Sequence, residues 1–179
     1  MVVFLLGCAE KEAVSKEEPA DAIKNSQEVN MMKIRSSAFE NGGNIPSKYT
    51  CDGEDTNPQL SISDVPVEAK SLVLIMDDPD AIKPAGKVWD HWIVWNIPVD
   101  TTEISESEEP AGIHGKGTSG NLNYHGPCPP YAEHRYYFKL YALDIQLDLP
   151  EGASKLEVEA AMEGHILKKD ELIGKYKRD

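Results

Sequence analysis

With 31 Asp and Glu against 18 Lys and Arg in 179 residues, the chain carries a formal net charge of −13. That balance argues against nucleic-acid binding and against electrostatic adhesion to anionic membranes, so any anion bound here must be held by local groups. At 40% hydrophobic and 27% charged, the composition is that of a soluble globular protein, and no internal repeat is visible.

Residues 1–8 are apolar but too short to span a membrane or to make a full secretory signal. Leu5-Leu6-Gly7-Cys8 resembles a lipoprotein cleavage box, in which a small residue precedes a cysteine that is lipidated and becomes the new N-terminus. Cys8 is therefore the expected lipidation site. The basic region and most of the apolar stretch of such a signal are missing, which points to a truncated signal or a start site further upstream. The plainer alternative is a frayed apolar terminus. Residues 9–30 are polar and of mixed charge with no aromatic, a composition that cannot bury enough surface to fold alone and reads as a flexible tether. The domain proper, 31–179, is large enough for one core and too small for two.

Residues 31–39 begin it with an expected strand, 41–46 are turn-rich, 49–55 form a polar loop, and 59–65 alternate as a short strand. The apolar run 72–76 ends abruptly in Asp77-Asp78-Pro79-Asp80, the way a buried strand delivers carboxylates to an edge or cleft. Residues 89–97, rich in aromatic and β-branched side chains, predict a second strand with His91 and Ile93 on one face and Trp92, Val94 and Asn96 on the other. Residues 101–120 are loop-like, with an acidic run read as a solvated face. Their glycines fit neither a P-loop, because Gly117 follows Lys116, nor a nucleophile elbow, because the glycine after Ser119 comes one position early.

Residues 124–136 set two histidines and three tyrosines around Pro127, Pro129 and Pro130, which fix φ and remove donors, so this segment can form one wall of a ligand pocket. It leads into a strand over 135–144, with His134 and Tyr136 at its mouth on the same side. The remainder, 148–179, reads as helical. Ser154 and Glu157 form a capping box, Gly164 ends that helix, 167–176 form a second helical piece, and His165 is a core histidine.

Asp78-Pro79-Asp80-Ala81 followed by Trp89-Asp90-His91, and Gly126-Pro127-Cys128-Pro129-Pro130 followed by His134-Arg135-Tyr136, resemble the two motifs of the phosphatidylethanolamine-binding protein (PEBP) family, also called Raf kinase inhibitor protein-like. The resemblance spans about 34–177, and Tyr49-Thr50-Cys51-Asp52-Gly53-Glu54-Asp55 is similar to the prokaryotic branch. Ile82 departs from the pattern, standing where the family usually has Pro.

The resemblance implies a mainly β fold with a few peripheral helices, a Greek-key-like sandwich of antiparallel sheets. It implies a small anion pocket for phosphate or phospholipid head groups, lined by Asp78, Ala81, Trp89, His91, His134 and Tyr136, with Gly126, Cys128 and Pro129 shaping its lip. No cofactor is implied, and homodimerisation is. Eukaryotic relatives inhibit kinases or proteases, but no protein partner can be named here. A carboxylate beside an imidazole favours the imidazolium, so Asp78 is expected to hold His91 or His134 protonated, Tyr136 to add a neutral donor, and Asp78 to receive an ethanolamine ammonium.

The alternative is an enzyme, either a hydrolase using the His, Asp and Tyr groups or a metal-dependent one with His91, His125, His134 and Asp78 as ligands. A binding protein or regulator is the favoured reading. If Cys8 is processed, the protein is exported and lipid-anchored at the cell envelope, its membrane contact made only through that anchor; otherwise it is cytoplasmic. Cys51 and Cys128 could pair in an exported domain and would stay reduced in the cytosol, and sequence alone does not decide.

Overall fold

The computed structural model describes residues 1–3, which have no regular structure, and residues 31–178. Met31–Asp179 forms a compact unit of its own. The expected lipidation at Cys8 and the tether over 9–30 lie outside the described residues. Among the described residues no helix is long and apolar enough to cross a membrane.

The domain is mainly β, with two short helices, and its sheets are antiparallel. In chain order the strands are β1 (Lys33–Ser36), β2 (Leu60–Ser63), β3 (Ser71–Asp78), β4 (Trp89–Ile97), β5 (Glu103–Ile104), β6 (Ile113–His114), β7 (His134–Leu143) and β8 (Ile166–Tyr176). The helices are α1 (Ile82–Ala85) and α2 (Lys155–Met162). A small sheet runs β1-β2-β5 and a large one β6-β4-β3-β7-β8.

β3 lies in the middle of the large sheet and every one of its residues is buried. Its alternate residues serve two cores, which is why its sequence reads as a continuous apolar run. Leu72, Leu74 and Met76 pack with Trp92, Val94, Phe138 and Leu140 against Ile34, Leu60, Ile62 and Ile104 of the small sheet. On the far side Val73 and Ile75 pack with Ile93 and Trp95 under Val158 and Met162 of α2. α2 begins at the capping box read from the sequence, with both reciprocal bonds between Ser154 and Glu157 formed. An ion cluster pins it to the sheet, where Asp77 accepts from Lys155 at 2.5 Å and from Lys139 at 2.7 Å.

Three expectations need correction. Residues 167–176 are not helical but belong to β8, which pairs with β7 from His134↔Tyr176 to Leu143↔Ile166. The open edge of β7 offers a continuous ladder to a segment whose local helical signal is weak, and tertiary pairing overrides propensity. Gly174 is also required there, since a Cβ would collide with the Ile45 side chain. Gly164, at φ +81°, does close the preceding turn as expected. His165 is not a core residue either; it is half-exposed and its Nδ1 lies 2.8 Å from Asp144 Oδ1.

The third correction concerns β4. A register shift falls between the pairs Met76↔Trp92 and Asp77↔Asp90, placing His91 in a bulge. The bulge breaks the alternation that would have put His91 beside Ile93 under α2. His91 instead packs edge-on against Tyr136, with ring centroids 5.3 Å apart. A second shift next to Asn96, whose φ is +56°, removes that residue from the Trp92 and Val94 face, and its amide binds the Leu147 backbone in both directions.

Candidate functional site

The ends of β3, β4 and β7 lie side by side and together frame a cavity of about 260 Å³. β3 contributes Asp78. Its Oδ1 accepts from the Asp80 and Ala81 amides at 2.8 and 3.1 Å, capping the 3-10 turn Pro79–Ala81. Its Oδ2 accepts from His134 Nδ1 at 2.7 Å, in a pair whose side chains are only 4% and 5% exposed. The carboxylates on either side are used elsewhere: Asp77 holds the α2 lysine, and Asp80 grips Arg135 through two hydrogen bonds to its guanidinium. Of this acidic group only Asp78 reaches the cavity. The Ile82 amide donates to the Pro79 carbonyl as the turn runs into α1, a bond that proline at this position could not make. α1 then brings Pro84 and Ala85 to the cavity wall.

The opposite wall is the proline-rich segment over 124–130. Several ties hold it to the loop 49–55: a Cys51–Cys128 disulfide, the Cys51 amide on the Pro127 carbonyl, the Tyr124 hydroxyl on the Tyr49 carbonyl, and Asp55 on both the Gly126 amide and His125 Nδ1. Gly126 fits only as glycine, because a Cβ would meet the Tyr49 carbonyl. The wall is thus rigid before any ligand arrives.

Three imidazoles line the cavity, and each has Nδ1 committed to an oxygen. His91 Nδ1 donates to the His125 carbonyl at 2.6 Å, His125 Nδ1 lies 3.0 Å from Asp55, and His134 Nδ1 is on Asp78. This sets the tautomers and leaves the Nε2 edges as the reactive ones. Among the described residues the Nε2 atoms of His91 and His134 have no hydrogen-bond partner and are not sealed from solvent. Burial lowers the His91 imidazole to about 4, so His91 is neutral and its Nε2 is a lone-pair acceptor. Burial also raises the Asp78 carboxyl, against the opposing pull of His134 and the two backbone amides. Among the described residues the Tyr136 hydroxyl is sealed from solvent and completes no hydrogen bond of normal geometry, and burial followed by the nearby Asp78 charge, against a smaller opposing pull from the Cys128 amide, holds it firmly protonated.

Residues 35–177 match the family described as phosphatidylethanolamine-binding protein. The chain belongs to this family. A UPF0098 protein of Methanothermobacter thermautotrophicus is 53% identical over 153 residues, 82% of this chain and 99% of that protein. The crystal structure of a putative PEBP homolog, CT736 of Chlamydia trachomatis, superposes with a TM-score of 0.79 at 46% identity, covering 84% of this chain and 99% of its own. Escherichia coli YbcL, described as a new member of the mammalian PEBP family, gives 0.76 at 27% identity, over 83% and 99%.

Within this PEBP domain the residues named from the sequence, Asp78, Ala81, Trp89, His91, Cys128, Pro129, His134 and Tyr136, all line the one cavity. Gly126 does not; it lies behind the lip as the packing point just described. Sequence reasoning about the pocket missed Pro84 and Ala85, and placed His125 and Pro130 in the wall over 124–136 without naming them as ligand-binding residues. The sequence signals were the motif position of His125 beside Gly126 and the uninterrupted proline pair at 129–130. The sequence left open which histidine Asp78 serves, and the expectation of an ammonium at Asp78 changes. Asp78 serves His134 and not His91, and with three hydrogen bonds already accepted it is poorly placed to take an ammonium. Among the described residues no group of three or more His, Cys, Asp or Glu side chains is arranged to hold a metal ion.

Proposed function

We propose that this PEBP family member is a binding protein whose cavity takes the phosphate group of a small phosphate ester or phospholipid head group. The observation that carries the reading is the buried Asp78–His134 pair on a cavity that the Tyr136 side chain, with its sealed hydroxyl, also lines. Asp78 fixes His134 Nδ1 as the donor, so a proton arriving at Nε2 creates an imidazolium whose charge is already balanced from behind. Its Nε2–H then donates outward to an anion. Tyr136 supplies a neutral O–H, and an orphaned buried hydroxyl costs roughly 1–3 kcal/mol that a ligand oxygen would recover. A tetrahedral oxyanion fits a cavity of about 260 Å³ with room for a few further atoms, and the walls of Ala81, Pro84, Trp89 and Pro129 suit their hydrocarbon.

An enzymatic reading lacks a nucleophile. Among the cavity residues the cysteine is in a disulfide, and the one hydroxyl is Tyr136, whose deprotonation burial opposes. The same disulfide supports export of the domain, since exported proteins retain such bonds.

Calorimetric titration of the full chain with inorganic phosphate and with phosphoethanolamine tests the proposal. Saturable binding, abolished in His134→Ala, is the expected result. Absence of binding to the folded protein would refute it.

A further inference from the structure

The polar groups facing the cavity are not all donors. His91 Nδ1 is held at 2.6 Å by the His125 carbonyl, which can only accept, so the proton of the neutral ring sits on Nδ1. Its Nε2 is therefore an acceptor, turned to the cavity and unused by the protein. His91 is 4% exposed, meets Tyr136 edge-on at a centroid distance of 5.3 Å and stacks beside His125 at 6.1 Å. No carboxylate among the described residues is bonded to it; the titratable groups that face it are Asp77 of β3, Asp55 of the loop 49–55 and His125 of the lip. None of these is close enough to offset its burial, and the ring is lowered to about 4.

Resting on the phosphate reading of this cavity, we infer that His91 makes it selective for an oxyanion that carries its own proton, a phosphate monoester in its monoanionic form, and that it rejects the isosteric sulfate ester. The monoester monoanion offers one P–OH and two anionic oxygens on the same phosphorus. The P–OH donates to His91 Nε2, while the anionic oxygens accept from Tyr136 O–H and His134 Nε2–H. His134 and Tyr136 stand two residues apart on one face of β7, about 7 Å along the strand, and His91 packs on Tyr136 from β4, so the three groups surround one small volume. A sulfate ester has the same shape and only bare oxygens. Against it, the His91 lone pair meets an oxygen lone pair in a buried site, and a polar group left unpaired in this way costs enough for discrimination of roughly tenfold or more. A phosphodiester, which also lacks the P–OH, falls on the rejected side, so the reading narrows to monoesters such as a free head group and leaves out the intact phospholipid.

The test compares phosphoethanolamine with ethanolamine O-sulfate on the full chain at about pH 5.5, below the second ionisation of a phosphate monoester. Both ligands carry the same ammonium, so its contribution cancels. The expected result is phosphoethanolamine binding at least about tenfold tighter. In His91→Asn, whose amide keeps a donor toward the His125 carbonyl while removing the acceptor at the Nε2 position, the ratio falls toward one. Equal affinities in the unaltered protein would overturn this inference and leave the phosphate pocket standing. Failure of both esters to bind would overturn the phosphate reading and the inference with it.

Discussion

Tyr136→Phe separates stability from binding more cleanly than any other change in this domain. The side chain is fully buried among Trp92, Phe138 and Tyr124 in the core between the sheets, and its hydroxyl has no hydrogen bond. Removing the oxygen keeps the ring and its packing while relieving an unsatisfied polar group, which is worth roughly 1–3 kcal/mol. The ligand-free protein should therefore become more stable by about 1 kcal/mol, a rise in Tm of about 2–4 °C for a domain of this size. Phosphate affinity should fall about tenfold, because a donor to a charged oxygen is lost. Urea titration with the disulfide intact reads the first effect as a shift of midpoint at unchanged slope, and calorimetry reads the second. A variant that is less stable and binds phosphate as well as before would refute the account of Tyr136 as an orphan held ready for ligand.

The remaining predictions concern the frame around it. Lowering of His91 from 6.5 to about 4 means that the folded state takes up its proton later than the unfolded chain. Stability is present above pH 6.5 and is lost as pH falls toward 4, by about 3 kcal/mol, and His91→Asn should flatten that limb of the pH profile of urea stability. Asp78 acts oppositely, since its raised carboxyl favours the fold at low pH and that contribution fades as pH rises through the raised value. Replacing both Cys51 and Cys128 by Ser opens a bridge between residues 77 apart in sequence and should cost about 4 kcal/mol in urea unfolding. The ties from Asp55 and Tyr124 should keep the lip in place, so phosphate binding should survive. Gly174→Ala forces a methyl into Ile45 and should destabilise the domain by about 1–3 kcal/mol in the same assay, with no change of ligand affinity after refolding is complete.

Much of the site was legible because its residues sit in two unbroken stretches of sequence. Asp78 follows an apolar run that could only be a buried strand, and His134 and Tyr136 stand two apart at the start of an alternating one, so their shared face follows from the pleat. What could not be read is what depends on a third element. The period of a strand places His91 under α2, and only the bulge opposite Met76 and Asp77 turns it into the cavity. The Asp55 tie to His125 and Gly126 joins residues 70 and 71 positions apart, with no local pattern to announce it. In the fold, the capping box at Ser154 was decisive because capping is local, whereas β8 was misread because its pairing depends on the distant edge of β7.

The central claim is that Asp78 and His134 form a pre-balanced receptor for a phosphate group while His91 stays neutral. The most direct test is nitrogen-15 NMR of histidine-labelled full-length protein during titration with inorganic phosphate. The account predicts that His134 moves to the doubly protonated form as phosphate saturates, with its Nδ1 proton shared with Asp78, and that His91 keeps its Nδ1–H tautomer throughout. Histidine spectra that stay unchanged up to saturating phosphate, or a His91 that protonates in place of His134, would contradict it.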